Sequence, residues 1–302
     1  MAKVTPRYVS FRTKDGLNLP GLLYEPRNKK TAAIYLHGNG TASVFYNANE
    51  KHSIGQALLG RSIATLYFNN RGAHLIKNLD VKRGGKITRQ PYGMAYEKIK
   101  ECLYDIDAAI NFLKKQGYTE FILIGSSTGA NKICIYNYYR PHNEVKKYVL
   151  LSAGDDVGIF YDQLGKNRFE KLLKLAARRS KTKQANELMP ELYPQLIFSN
   201  AAFFDTANPD GDYNVFPFYE ALRNVRLSKK PLFRHFKSIK KPTLVVFGDR
   251  DEYAWNSVLR IVEILKTIQS KCTYTVIRGA DHGFAKHEKE MAKAVMNWLL
   301  RS

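Results

Sequence analysis

The chain is poor in cysteine. Cys102, Cys134 and Cys272 are odd in number and widely separated, and they form no C-x-x-C pair. That excludes a disulfide framework and a structural zinc site, and it points to a thiol-reduced, cytoplasmic setting in which each cysteine is a small buried apolar residue. The first sixteen residues contain no apolar core, so a secretory signal is not expected. Long hydrophobic runs are missing as well. Stretches such as 121–124 and 148–151 are strand-sized, far short of the roughly 18 residues that cross a bilayer. Internal repeats and low-complexity segments are absent, which excludes a solenoid or a disordered tail. Acidic residues are scarce, with 27 Asp and Glu against 48 Lys and Arg and a formal charge of +21. Such a balance suits nucleic acid, an acidic surface or an anionic ligand. Yet no helix-turn-helix, zinc, RRM-like or OB-like signature accompanies it, and the basic residues are spread along most of the chain. Nucleic acid is therefore not expected as a partner, although a basic nucleic-acid-binding protein remains the rival class. What the chain does have is 302 residues at 44% hydrophobic content, enough to bury a real core without staples.

Hydrophobic rhythm divides that length. Residues 9–13 and 17–24 flank a Lys14-Asp15-Gly16 turn and read as a hairpin. Short apolar runs at 31–36, 63–68, 121–124, 145–151, 243–247 and 274–277 read as buried strands. Helical patterns are expected at 47–59, 97–116, 128–139, 256–268 and 285–300. The segment at 97–116 is the clearest, because Ile99, Cys102, Leu103, Ile106, Ile110 and Leu113 recur at three- and four-residue steps. Residues 69–95 read as a long polar loop. Alternating strands and helices imply a mainly parallel sheet flanked by helices on both faces. From 155 to 238 the rhythm breaks, so the expected organisation is a core of residues 1–154 and 239–302 with a cap inserted at 155–238. In open sheets of this kind ligands bind beyond the carboxyl ends of the strands.

The chemistry-bearing residues lie at those ends. The strand at 121–124 runs into Gly125-Ser126-Ser127-Thr128-Gly129, a G-x-S-x-G with a helix pattern after it. A nucleophile on so sharp a turn needs small neighbours on both sides. Only Ser127 has glycine at both −2 and +2, whereas Ser126 would have Ile124 and Thr128. A serine is a weak nucleophile without a base, and the base needs an orienting acid. His282 follows the strand at 274–277 within Asp281-His282-Gly283 and fits the base. The strand at 243–247 ends in Gly248-Asp249-Arg250-Asp251, where Asp251 is the favoured acid and Asp249 its rival. Ser127, Asp251 and His282 occur in the order Ser…Asp…His. Oxyanion stabilisation requires backbone donors. The N–H of Thr128, just after the serine, supplies one. The loop His37-Gly38-Asn39-Gly40 supplies the other through Asn39, with Gly40 as the alternative.

These residues resemble the α/β-hydrolase superfamily over nearly the whole chain. The likeness rests on residues 37–40, the elbow at 125–129, Gly248-x-x-Asp251 and Asp281-His282-Gly283. Asn69-Asn70-Arg71-Gly72 is similar to a loop of soluble carboxylesterases of the cinnamoyl/feruloyl-esterase and dienelactone-hydrolase type. The resemblance implies an α/β-hydrolase fold with a helical cap. It also implies an acyl-enzyme mechanism on Ser127 with His282 as base and Asp251 as orienter, and no metal or dissociable cofactor. A carboxylesterase cleaving small to medium acyl esters is the expected function. A non-hydrolytic member of the same fold (lyase, perhydrolase or cofactor-free oxygenase) is the alternative.

The cap has a texture of its own. Residues 166–183 carry eight basic residues and one acid, 184–222 carry six acids and no Lys or Arg, and 223–241 carry eight basic residues and no acid. Such blocks suggest helices that pair with each other over the site, and a positive cap could steer an anionic ester toward the serine. Seven aromatics fall between Phe198 and Tyr219, well above the chain's 12%. They either fasten the cap to the sheet or line a substrate pocket.

Overall fold

A computed structural model describes residues 5–27, 30–40, 42–46 and 52–301. Ten strands are present among the described residues: β1 (Arg7–Arg12), β2 (Asn18–Tyr24), β3 (Thr31–Leu36), β4 (Ile63–Phe68), β5 (Lys77–Arg83), β6 (Lys86–Tyr92), β7 (Glu120–Ser126), β8 (Val145–Leu151), β9 (Thr243–Gly248) and β10 (Thr273–Ile277). The helices are α1 (Ser53–Leu59), α2 (Cys102–Lys115), α3 (Thr128–Tyr139), α4 (Asp156–Leu164), α5 (Lys166–Arg179), α6 (Asn200–Ala207), α7 (Phe218–Arg223), α8 (Arg234–Lys237), α9 (Val258–Ile268) and α10 (Glu288–Arg301).

Eight strands form one sheet in the order β1-β2-β4-β3-β7-β8-β9-β10. The hairpin β1–β2 joins β4 antiparallel, and every pair from β4 to β10 is parallel. Successive strand residues point to opposite faces, and the packing follows that alternation. Ala32 and Ile34, Leu123, Leu150, and Val245 and Phe247 pack with Ile106 of α2, Ile133 of α3 and Ile261 of α9. Their neighbours Ala33, Ile122 and Ile124, Val149 and Leu151, and Leu244 and Val246 pack with Ile54 of α1 and Val295 of α10. A sheet covered on both faces explains why its central strands read as unbroken apolar runs.

Helix α3 and strand β8 have the bounds expected from the sequence, and the other core elements agree within a few residues. The expected helix at 47–59 is seen as α1; its residues 47–51 lie outside the described residues. The expected helix at 97–116 begins with a 3₁₀ turn at Ile99–Glu101 before α2. One expectation is overturned: residues 69–95 are not all loop. Strands β5 and β6 pair as an antiparallel hairpin in register Arg83↔Lys86. Gly84 and Gly85 close it, with φ of 53° and 80°. Two positive φ values in a two-residue turn suit glycine and match strand twist. The apolar alternation that signals a strand is missing because β6 is exposed almost throughout. Only Val81 is buried, against Leu17.

The inserted segment packs in two parts. Residues between Val157 and Ala207 form an apolar cluster of their own, containing Phe160, Phe169, Leu172, Phe198 and Phe203. Tyr213, Val215, Phe216, Phe218, Phe233 and Phe236 instead join the main core cluster beside α2, α3 and α9. Buried carboxylates tie the first part down. Asp155 accepts from the amides of Gly158 at 2.8 Å and Tyr219 at 2.7 Å. Asp205 accepts from the Ile99 amide at 2.7 Å. Burial pushes their pKa values up, to about 7 for Asp155 and about 6 for Asp205. The alternating charge blocks also meet: Arg179 pairs with Glu191 and Arg234 with Asp212.

Candidate active site

Ser127 ends the approach of β7 and caps α3, with φ 55° and ψ −126°. A left-handed φ at a non-glycine residue is strained and persists only where its surroundings hold it. Here the Ser127 amide donates to Leu151 O at 2.8 Å, and its carbonyl accepts from Ala130 N at 2.8 Å. The flanking glycines have a steric reason. A Cβ on Gly125 would stand 2.3 Å from Gly129 O, and one on Gly129 would stand 2.1 Å from Leu36 O. Neither fits, so the sequence G-x-S-x-G is what lets β7, α3 and the end of β3 meet at this point.

The loop after β3 passes directly beside the serine: a Cβ on Gly38 would be 2.9 Å from Ser127 Cβ. His37 anchors that loop. Its Nε2 accepts from the Asn70 amide at 3.1 Å and its Nδ1 donates to Gly38 O at 2.7 Å. Burial, helped by the Lys132 charge, drives its pKa down to about 3, so it stays neutral and in one tautomer. The 69–72 stretch braces the same region from behind. Asn69 accepts from the Val44 amide and donates to the Ser43 hydroxyl, while the buried Arg71 guanidinium bonds Asp105, Asp15 and Glu101.

His282 and Asp251 lie at the exits of β10 and β9. His282 Nδ1 stands 2.9 Å from both oxygens of Asp251, whose residue is 3% exposed. The rival Asp249 is exposed and accepts from the Gly279 amide at 2.6 Å. Asp251 is therefore the carboxylate on the imidazole. Burial alone would lower the His282 pKa, but the Asp251 hydrogen bond and charge outweigh it and raise it, with Glu252 and Asp156 adding to the effect. Tyr253 packs edge-on against the imidazole, with ring centres 4.7 Å apart.

Ser127, His282, Asn39 and Gly40 line one cavity of about 570 Å³. Thr128, one residue into α3, is buried beside it. Of the seven aromatics between Phe198 and Tyr219, Phe198 reaches the cavity wall, and Phe160 of α4 joins it. Phe203, Tyr213, Phe216 and Phe218 lie in the apolar clusters instead. No Lys or Arg lines the cavity among the described residues.

One residue at this cavity escaped sequence reading, and a second was read only as one of the seven aromatics. Asp156 lines it at the start of α4, and its Oδ2 is buried with no hydrogen-bond partner among the described residues. Burial pushes its pKa up to about 6, opposed by His282 and Lys132. The available signal was its place: Gly154-Asp155-Asp156 is a strand exit next to the elbow's strand, but it coincides with the point where the rhythm breaks. Tyr213 is the second; its hydroxyl accepts from Asn39 Nδ2 at 3.0 Å. It stood within the aromatic cluster, but its bond to Asn39 left no mark, because 174 residues separate the pair.

A family model described as "Protein of unknown function (DUF1749)" matches residues 92–301, from the end of β6 to the end of α10. The chain belongs to the DUF1749 family. The DUF1749 match takes in Ser127, Asp251 and His282, whereas the loop at 37–40 lies outside it. No curated protein matches the sequence. Solved structures do match the fold. Est1E from Butyrivibrio proteoclasticus aligns at TM-score 0.57 and 16% identity, over 99% of this chain and 98% of its own. An esterase from Pyrococcus furiosus aligns at 0.56 and 19%, over 98% and 90%. The α/β hydrolase GrgF from Penicillium sp. sh18 aligns at 0.63 and 13%, over 99% of each chain. This DUF1749 chain therefore has the α/β-hydrolase fold, with a mainly parallel sheet between two helical layers. Among the described residues no three His, Cys, Asp or Glu side chains converge as a metal site, and no helix is long and apolar enough to cross a membrane.

Proposed function

We propose that the protein is a serine hydrolase of the carboxylesterase type that cleaves small to medium acyl esters through an acyl-enzyme on Ser127. The observation that carries this reading is the strained Ser127 turn opening into the same cavity as a His282–Asp251 pair. Asp251 holds the proton on Nδ1, which leaves Nε2 as the basic nitrogen. Ser127 Oγ attacks the ester carbonyl carbon, its proton passes to Nε2, and the carbonyl electron pair becomes an oxyanion. The N–H groups of Asn39 and Thr128 stabilise that charge. Collapse breaks the bond to the alcohol oxygen, which takes the proton from Nε2. Water then repeats the sequence on the acyl-enzyme and releases the acid. The cavity size, the Phe160 and Phe198 walls and a lining without Lys or Arg among the described residues favour an acyl ester that is uncharged at its reacting end. The test is hydrolysis of short p-nitrophenyl esters. Wild-type protein should turn them over and Ser127→Ala should retain the fold but lose at least about 10³-fold in kcat. Equal rates for the two proteins would refute the mechanism.

A further inference from the structure

One of the two residues whose amides are assigned to the oxyanion meets a buried phenol. Asn39 Nδ2 donates to the Tyr213 hydroxyl at 3.0 Å. Thr128 is buried at the start of α3, and its hydroxyl has no hydrogen-bond partner among the described residues. Asn39 comes from the loop after β3, Thr128 from the first position of α3, and Tyr213 from the inserted segment. We propose that Tyr213 is a positioning residue: its hydroxyl ties the Asn39 loop to the core cluster in which α3 also packs, and so holds the Asn39 donor in place relative to that of Thr128. This rests on the serine-hydrolase reading above.

The geometry gives the loop a need for such a tether. Gly38 and Gly40 flank Asn39. Gly40 has φ 81°, and nothing among the described residues lies within 4 Å of where its Cβ would stand. Glycines on both sides leave the backbone of Asn39 with little rigidity of its own. On one side the loop is held by His37, through Asn70 and Gly38. On the other, the side chain of Asn39 bonds Tyr213. Tyr213 can serve as a fixed post because it is 2% exposed and its ring sits in the main apolar core. A phenol also has few torsions to freeze. Oxyanion donors act only when aimed within about 2.7–3.1 Å of the developing charge, and losing one donor costs about 10²–10³-fold in kcat. Loosening a donor should cost less than deleting it. The bond also couples the site to the insertion: the fold of residues 208–218 reaches the chemistry through one hydroxyl.

The test is Tyr213→Phe, which removes that oxygen alone. kcat for a short p-nitrophenyl ester should fall about 10–100-fold with KM within about two-fold, because the lost interaction acts on the transition state. Affinity for a tetrahedral analogue, a trifluoromethyl ketone, should fall by the same factor. Tyr136→Phe is the control. Tyr136 is buried and its hydroxyl bonds Asp107 at 2.9 Å, away from the cavity. Its loss should leave kcat and analogue affinity unchanged. Asn39→Ala combined with Tyr213→Phe should be no worse than Asn39→Ala alone. Wild-type kcat and analogue affinity in Tyr213→Phe would overturn the proposal while leaving the hydrolase reading intact. If wild-type protein neither hydrolyses esters nor reacts with a fluorophosphonate, the hydrolase reading fails and the proposal fails with it.

Discussion

At the residue scale, the His282 Nδ1–Asp251 hydrogen bond leaves Nε2 as the nitrogen that the proposed mechanism uses as base. Asp251 also raises the His282 pKa above the usual 6.5, against the opposing pull of burial. A base must be neutral, so kcat/KM should fall as pH drops through that raised value, and the acid limb should have its midpoint above 6.5. Asp251→Asn removes the main stabiliser of the imidazolium and frees the tautomer. The expected result is a loss on the order of 10⁴-fold in kcat, with the acid limb moved to lower pH. Asp249→Asn should change neither, because Asp249 faces the Gly279 amide instead. Equal effects from the two substitutions, read from pH–rate profiles, would contradict the pairing. Between these two the sequence left only a preference, since both follow the same strand and a three-dimensional contact separates them.

At the element scale, the site depends on loops that are braced by buried charge. Arg71 follows β4, and its side chain is 1% exposed, as is that of Asp105 on α2. Removing one partner of such a pair strands the other in the interior. Arg71→Ala should therefore cost about 3–5 kcal/mol, read as a lower denaturant midpoint at unchanged slope. A change below about 0.5 kcal/mol would mean that Asp105 is not truly buried with Arg71. The same scale shows what sequence patterns can reveal. The sheet and α2 were legible because buried strands and an amphipathic helix leave periodic marks, and the elbow and the histidine exit because glycine and polar residues punctuate the strand ends. The β5–β6 hairpin was not, since an exposed strand such as Lys86–Tyr92 buries nothing to mark it. Of the insertion, the sequence suggested helices without their bounds, although α5 carries a stripe of Phe169, Leu172 and Ala176 that packs within the cluster of residues 157–207. Tyr213 illustrates the limit: its partner is fixed by the fold and lies far away in the chain.

At the scale of the whole molecule, the +21 charge and the cavity tell different stories. The surface is basic, yet the wall around Ser127 carries Asp156 and, among the described residues, no Lys or Arg. Long-range charge acts on encounter, and salt screens it over about 10 Å at 0.1 M. Raising salt from about 20 to about 200 mM should lower kcat/KM for an anionic ester several-fold and leave a neutral ester of the same size unchanged. Parallel behaviour of the two esters would remove any steering role for the surface. The central claim is narrower than the fold, which many chemistries share: Ser127 is an activated nucleophile. The most direct measurement is treatment of the folded wild-type protein with a fluorophosphonate, followed by peptide mass spectrometry. The account predicts a single phosphonyl adduct on Ser127, absent after denaturation and in Asp251→Asn at matched times. No adduct, or one on Ser126 or elsewhere, would contradict it.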